Sequence, residues 1–161
     1  MSVTSITSPL HLTTLLKGTS FLVIDFYADW CGPCHAVRPM FEKLAQANSV
    51  PGHLAFVKVN VDEQPDIARQ YNISAMPTFL FFQNSLPYAS HPMIRGADPQ
   101  TLGRISKELG DLAREAQRKA NEAAQKAADA PLAVADDGTT VSGGYAMGTT
   151  GKRSDWKMSL N

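Results

Sequence analysis

The hydrophobic positions of this chain change period several times within the first 110 residues, and each change marks an element. Val3 to Ile6 alternates apolar and polar residues, the pattern of a short strand. Ser8-Pro9 then reads as a helix start, a capping hydroxyl followed by proline at the first helical position. Leu10, Leu12, Leu15 and Leu16 give that helix an apolar side, and Gly18 is expected to stop it. Phe21–Ala28 (FLVIDFYA) is nearly continuous in β-forming apolar residues, as in a strand buried on both faces. Asp29–Cys34 (DWCGPC) is a turn that opens a second helix. That helix carries Val37, Met40, Phe41, Leu44 and Ala45 at helical spacing, with a kink expected at Pro39. Residues 48–52 end it.

The pattern then repeats. Leu54–Val61 (LAFVKVNV) predicts a strand and Asp62–Tyr71 a short helix with Pro65 near its start. Thr78–Phe82 (TFLFF) predicts another buried strand. Asn84 and Ser85 form a turn, and Tyr88–Ile94 a weaker strand that Pro92 confines to an edge. Asp98-Pro99 opens a last helix through Leu102, Ile105 and Leu109. The order β-α-β-α-β-α-β-β-α implies an α/β fold, with parallel units closed by an antiparallel hairpin and helices on both faces of a mixed sheet.

Beyond Gly110 the texture shifts. Residues 111–130 are rich in Ala, Lys, Arg, Glu and Gln, with no large apolar residue after Leu112. Glu115–Lys119 and Glu122–Lys126 are favourable pairs four apart, each worth roughly 0.2–0.5 kcal/mol. The sequence thus divides into a domain over 1–110, a charged Ala-rich helical extension over 111–130, and a tail over 131–161. Pro131 ends or interrupts the extension. The tail is expected to be disordered, for it is rich in Gly, Thr, Ser and Asp, with a small apolar group at Trp156, Met158 and Leu160.

Composition narrows the function. The chain has 161 residues, 43% of them apolar, enough for a core. Fifteen Lys and Arg balance 15 Asp and Glu, so charge offers no reason to expect nucleic acid or a membrane surface as a partner. No Lys or Arg precedes Lys17, unlike a secretory or organelle leader, so a cytosolic location is expected. Thiols are kept reduced there, and a close cysteine pair is more often catalytic or metal-binding than structural.

That pair is Cys31 and Cys34, in Trp30-Cys31-Gly32-Pro33-Cys34. It falls where a buried strand hands over to a helix. Unpaired N–H groups and the positive end of the helix dipole favour a thiolate there, so the Cys31 thiol is expected to ionise below the free-cysteine value of about 8.5. Gly32 is expected to permit the tight turn, and Pro33 to limit the freedom of the reduced form. Cys31 is expected to be the more exposed sulfur, attacking a target disulfide, and Cys34 the deeper one, resolving the mixed disulfide. Asp25 stands in the middle of the apolar strand, where strand alternation gives no reason for an acid; it is read as functional, the alternative being a buried acid satisfied by hydrogen bonds. Burial should raise its pKa towards neutrality, suiting it to accept a proton. Zinc also uses paired cysteines, but no second pair exists, and His11, His35, His53 and His91 lack ligand spacing. Cys31 to His35 matches the haem-attachment pattern C-x-x-C-H as well, which would need export and a large haem pocket.

These residues closely resemble the thioredoxin family. The matching segments are Phe21–Tyr27 with Asp25, Trp30–Cys34, Pro39, Lys58, Ala75-Met76-Pro77-Thr78-Phe79 and Arg95-Gly96-Ala97, within about residues 3–110. The wording is nearest to eukaryotic cytosolic members. The resemblance implies a thioredoxin fold and a protein-disulfide reductase, re-reduced by thioredoxin reductase, with protein disulfides as substrates. It implies no cofactor beyond the Cys31–Cys34 couple, and a monomer is expected. Cys31, Cys34 and Asp25 take catalytic roles, with Lys58 modulating the proton transfer. Pro77 follows a cis peptide bond. Trp30, Gly32, Pro33, Met76, Pro77 and Gly96 form the surface that receives substrate. Two features depart from the family: His35 stands where many members have Lys, and the extension lies outside the resemblance. An adaptor whose domain is a binding platform targeted by its tail is the alternative reading.

Overall fold

A computed structural model describes residues 2–129; Pro131 and the tail with Trp156, Met158 and Leu160 lie outside the described residues. The elements run β1 (Thr4–Ser5), α1 (Pro9–Gly18), β2 (Phe21–Tyr27), α2 (Gly32–Asn48), β3 (Leu54–Asn60), α3 (Pro65–Gln70), β4 (Thr78–Gln83), β5 (Leu86–Pro87), β6 (Met93–Arg95) and α4 (Pro99–Asp129). The strand order is β1-β3-β2-β4-β5, and β6 also pairs with β4. β1, β3 and β2 are parallel, whereas β4 runs antiparallel to β2 and to both short strands.

The helix starts follow local chemistry. Ser8 Oγ accepts the N–H of His11 at 3.1 Å, and Pro9 occupies the first turn of α1. Pro39 lies inside α2 without ending it. Asn84 and Ser85, both at positive φ, make a two-residue hairpin loop between β4 and β5.

The expected strand over Tyr88–Ile94 is instead divided. β5 precedes it, β6 overlaps only its end, and residues 88–92 bulge between them. Phe81 spans the gap: its carbonyl accepts the Tyr88 N–H at 2.8 Å, and its N–H donates to the Pro92 carbonyl at 3.1 Å. Pro92 has no N–H to give a ladder, so pairing resumes after it.

Strand alternation sorts the core onto two faces. Phe21, Val23, Phe56, Phe79 and Phe81 pack with Val37, Phe41 and Ala45 of α2 and Leu102, Ile105 and Leu109 of α4. Leu22, Ile24, Phe26, Val57, Val59, Leu80 and Phe82 pack on the other face with Leu12 of α1 and Ile67 of α3. The mixed sheet is thus covered by helices on both faces.

α4 continues through residue 110 without a break, and Ala113 is still fully buried in the core. Gly110 marks a close approach rather than an end of helix. A Cβ there would stand 2.9 Å from Asn48 Oδ1 and 3.0 Å from Asn48 Cβ. Further along, Lys119 pairs with Glu115 at 3.2 Å on the exposed side. The chain divides into two units, 1–119 and 120–161; the described part of the second, 120–129, is an exposed helix.

Gly103 and Gly110 offer a controlled comparison. Alanine gains about 1 kcal/mol of helix propensity at either position. At Gly103 the new methyl meets only the tip of Met40, 3.3 Å away on a flexible side chain. At Gly110 it collides with a buried asparagine, and overpacking of that kind costs about 1–3 kcal/mol. Urea denaturation should show Gly103→Ala more stable than wild type by up to about 1 kcal/mol and Gly110→Ala less stable by a similar amount. Equal effects of one sign would remove the packing explanation.

Candidate active site

The site is assembled at the end of β2. The chain leaves the sheet at Tyr27, turns through residues 28–31 with the Cys31 N–H donating to the Ala28 carbonyl at 3.2 Å, and enters α2. Cys31 is itself the residue that caps α2. Its Sγ accepts the N–H of Cys34 at 3.2 Å, the position usually taken by a serine or aspartate oxygen. Cys31 and Cys34 are joined in a disulfide, with Cα atoms 5.3 Å apart. Cys31 is 5% exposed and Cys34 1%, so the first sulfur is the one nearer to solvent, although both are buried. With Ala28 they form a small apolar cluster, against which Tyr27, Val61 and Met76 pack.

Gly32 is the first residue of α2. It does not adopt positive φ, and a Cβ on it would meet nothing within 4 Å. The expected need for glycine to make the turn is therefore not met by the backbone, which a side chain would tolerate here. Gly96 is the opposite case. Its φ of 95° lies where L side chains are strained, and its N–H donates to the Pro77 carbonyl at 2.7 Å. The Met76–Pro77 bond is cis. Pro33 is exposed in the first turn of α2 and Met76 half-buried beside the sulfurs. Trp30 is 70% exposed, a large apolar surface left open next to the disulfide.

Polar residues brace this turn. Trp30 Nε1 donates to Asp62 Oδ2 at 3.0 Å. Asn60, buried at the end of β3, donates to Asp29 Oδ2 at 3.2 Å, and its Oδ1 accepts the Asp62 N–H at 2.9 Å. His35 Nε2 lies 2.7 Å from the Asp29 carbonyl and donates to it, tying the first turn of α2 back to the turn before it. Sequence reasoning missed Asp62 and Asn60. The signal was present: an asparagine closing an apolar strand, two residues before an aspartate, is a known turn-forming pair.

Asp25 is 5% exposed in the centre of the sheet, on the α2 and α4 face. Its neighbours in register are Lys58 on β3 and Phe79 on β4. Oδ1 is buried without a hydrogen-bond partner. Burial pushes the carboxyl from 3.8 up to about 7, against the opposing pull of Arg38 and then Lys58. Arg38 also went unnoticed in the sequence, though it stands one helical turn after Cys34. Arg38 Cζ lies 5.5 Å and Lys58 Nζ 5.8 Å from the centre of the Tyr27 ring.

The arrangement suits dithiol–disulfide chemistry. A sulfur at a helix start, with N–H groups directed at it, is stabilised as a thiolate once reduced. A buried carboxyl poised near neutrality can take or give a proton. Among the described residues no three His, Cys, Asp or Glu side chains are grouped to hold a metal ion. No helix among them is long and apolar enough to cross a membrane.

Comparison with known proteins agrees with this geometry. The Thioredoxin family model matches residues 2–104. A thioredoxin-like protein of Fusarium culmorum is 52% identical over 100 residues, covering 61% of this chain and 83% of its own. A thioredoxin of Neurospora crassa is 48% identical over 102 residues, 62% of this chain and 80% of its own. The crystal structure of Malassezia sympodialis thioredoxin superposes with a TM-score of 0.59 at 39% identity, over 68% of this chain and 91% of that one. Through residues 2–104 the chain belongs to the thioredoxin family, and its Cys31–Cys34 pair makes it a thiol–disulfide oxidoreductase.

Proposed function

We propose that the protein reduces disulfides in other proteins, with Cys31 as nucleophile, Cys34 as resolving thiol and Asp25 as proton acceptor. The observation that carries this reading is the cap of α2: the sulfur nearer to solvent is the one that receives the helix N–H. In the reduced protein the Cys31 thiolate attacks one sulfur of a target disulfide. A mixed disulfide forms and the other target sulfur leaves as a thiolate. The Cys34 thiol then gives its proton to the Asp25 carboxylate, directly or through water, and attacks Cys31 Sγ. The second target sulfur leaves as a thiolate, the two target thiolates take up the Asp25 proton and one from water to give the dithiol, and the Cys31–Cys34 disulfide is restored.

Substrate lies across Trp30, Gly32, Pro33, Met76, Pro77 and Gly96. The exposed indole offers apolar surface, and the loop joined by the Gly96–Pro77 hydrogen bond offers backbone groups to an extended peptide. Lys58, beside Asp25 in the register, favours the charged carboxylate and so modulates the transfer. The chain works as a monomer in a reducing compartment, the cytosol, with thioredoxin reductase as its electron donor and no cofactor beyond its two sulfurs. Residues 1–110 carry this chemistry, and 111–161 form the extension and tail.

Replacing the resolving thiol tests the first two roles. Cys34→Ser should accumulate target proteins bound through Cys31 in complexes that dithiothreitol releases, and Cys31→Ser should accumulate none. Capture by both variants alike would instead support the adaptor reading, and capture by neither would end the reductase reading.

Asp25→Asn tests the third role. Release of reduced target from the mixed disulfide should slow by about tenfold or more at pH 7. The wild-type rate should rise through an inflection near 7, which the variant should lack. An inflection of equal size in the variant would remove Asp25 from the step.

The same substitution has a stability signature of opposite sense. The folded protein holds the Asp25 proton more tightly than the unfolded chain does, so this residue's contribution is intact below 3.8. It is lost as pH rises to about 7. Asparagine stays neutral throughout. Oxidised Asp25→Asn should therefore be more stable than wild type at pH 8 by a few kcal/mol, since each pH unit corresponds to about 1.4 kcal/mol. The gain should vanish by pH 4. A constant difference across that range would contradict the raised pKa.

A further inference from the structure

Three side chains from three elements meet at the Tyr27 ring. Tyr27 closes β2 on the same side as Asp25, two residues away. Arg38 reaches it from α2 and Lys58 from β3, each cation within 6 Å of the ring centre. Both are long, flexible groups on half-buried residues, and water would draw their charged ends outward. An aromatic ring offers such cations an alternative to water, because its face is electron-rich. The ring is itself fixed. It packs against the Ala28, Cys31 and Cys34 cluster.

Arg38 and Lys58 are also the two charges that act on Asp25, the first more strongly. Among the described residues these are the two charges that act on it. β4 offers Phe79 opposite, and the buried positions of α4 in this core are Leu102, Ile105, Leu109 and Ala113. Asp29 and Glu63 act on the Tyr27 hydroxyl. The electrostatic environment of the carboxyl therefore depends on where two mobile cations rest, and the ring is what both rest against.

We propose that Tyr27 is a positioning residue for the proton-transfer step, its ring holding the Arg38 guanidinium and the Lys58 ammonium beside Asp25. This deepens the reading of Asp25 as proton acceptor and rests on it for its catalytic meaning. The positioning itself is measurable without turnover. Tyr27 packs beside the sulfurs but neither carries the proton nor reacts; it acts through the two cations.

The test is the titration of the Asp25 carboxyl in oxidised protein, followed by carbon-13 NMR of labelled aspartate and assigned by its loss in Asp25→Asn. Tyr27→Phe keeps the ring and loses only the hydroxyl, so its midpoint should stay within about 0.2 pH unit of wild type. Tyr27→Leu frees both cations and should raise the midpoint by about 0.5–1 pH unit. Tyr27→Met, unbranched and flexible, serves the same purpose if leucine is not accommodated. In an Arg38→Gln, Lys58→Gln background the midpoint should already be raised, and Tyr27→Leu or Tyr27→Met should move it no further upward. An unmoved or lowered midpoint in the ring-less variants would overturn the proposal, and so would an equal rise in Tyr27→Phe. If the midpoints order as stated but Asp25→Asn resolves mixed disulfides at the wild-type rate, the positioning stands and the proton-acceptor reading alone fails.

Discussion

A helix must begin somewhere, and its first N–H groups need an acceptor that the helix cannot supply. In this protein the acceptor is a sulfur. Cys31 Sγ takes the Cys34 N–H at the head of α2, so the group that satisfies the helix is also the group that reacts. Much of the surrounding structure can be understood from that dual role. The cap must be held in place whether its sulfur is bonded to Cys34, to a target, or to nothing. The tie from His35 to the Asp29 carbonyl and the brace from Asn60 to Asp29 fix the turn through groups other than the sulfurs. The redox change can then proceed without asking the turn to refold.

The second constraint is a carboxyl where a sheet has no use for one. Burying Asp25 with an unpartnered oxygen is unfavourable, and the neighbouring apolar residues of β2, β3 and β4 have to outweigh it. They do so by filling both faces of the sheet, so the acid sits among fully buried side chains rather than at an edge. Arg38 and Lys58 soften the penalty without removing it. A closer ion pair would lower the carboxyl pKa and end its ability to hold a proton near neutrality. A site with no cation would keep it protonated and unable to accept one. Burial, opposed by the two cations, puts the carboxyl at about 7, between those failures.

Much of this was legible in the chain, because the signals are local. The polar cap at Ser8, the apolar run of β2 and the cysteine pair at a strand-to-helix junction each depend on a few adjacent residues. Asp25 could be singled out because an acid contradicts its neighbours. What stayed hidden depends on residues distant in sequence. The break between β5 and β6 is set by how Phe81 hydrogen-bonds across to them, and the Pro92 signal alone placed an edge but not a bulge. The change of composition after Gly110 read as a solvated continuation of the last helix, but it could not say what Gly110 packs against. Its actual neighbour is Asn48, 62 positions earlier, and the helix passes straight through. Gly32 did mislead, as a glycine in a turn whose backbone does not call for one. The Tyr27, Arg38 and Lys58 group joins three elements and leaves no mark in any one of them.

Strand parity explains why these features coincide on one face. Side chains alternate along β2, so Phe21, Val23, Asp25 and Tyr27 share the α2 and α4 side, while Leu22, Ile24 and Phe26 share the α1 and α3 side. Lys58 falls on the same side as Phe56 for the same reason, directly beside Asp25 in the parallel register. α2 starts after the turn of residues 28–31 and packs back on that face, which carries Arg38 to the Tyr27 ring. Among the described residues the buried members of the other face are apolar except for Thr78, opposite Phe26 in the register. A slip of one residue in the β2 register would move the acid to that apolar face, strand it from both cations and expose the core of the α2 side at once. The pairing that stabilises the fold is therefore the same pairing that sets the chemistry, and neither can drift without the other.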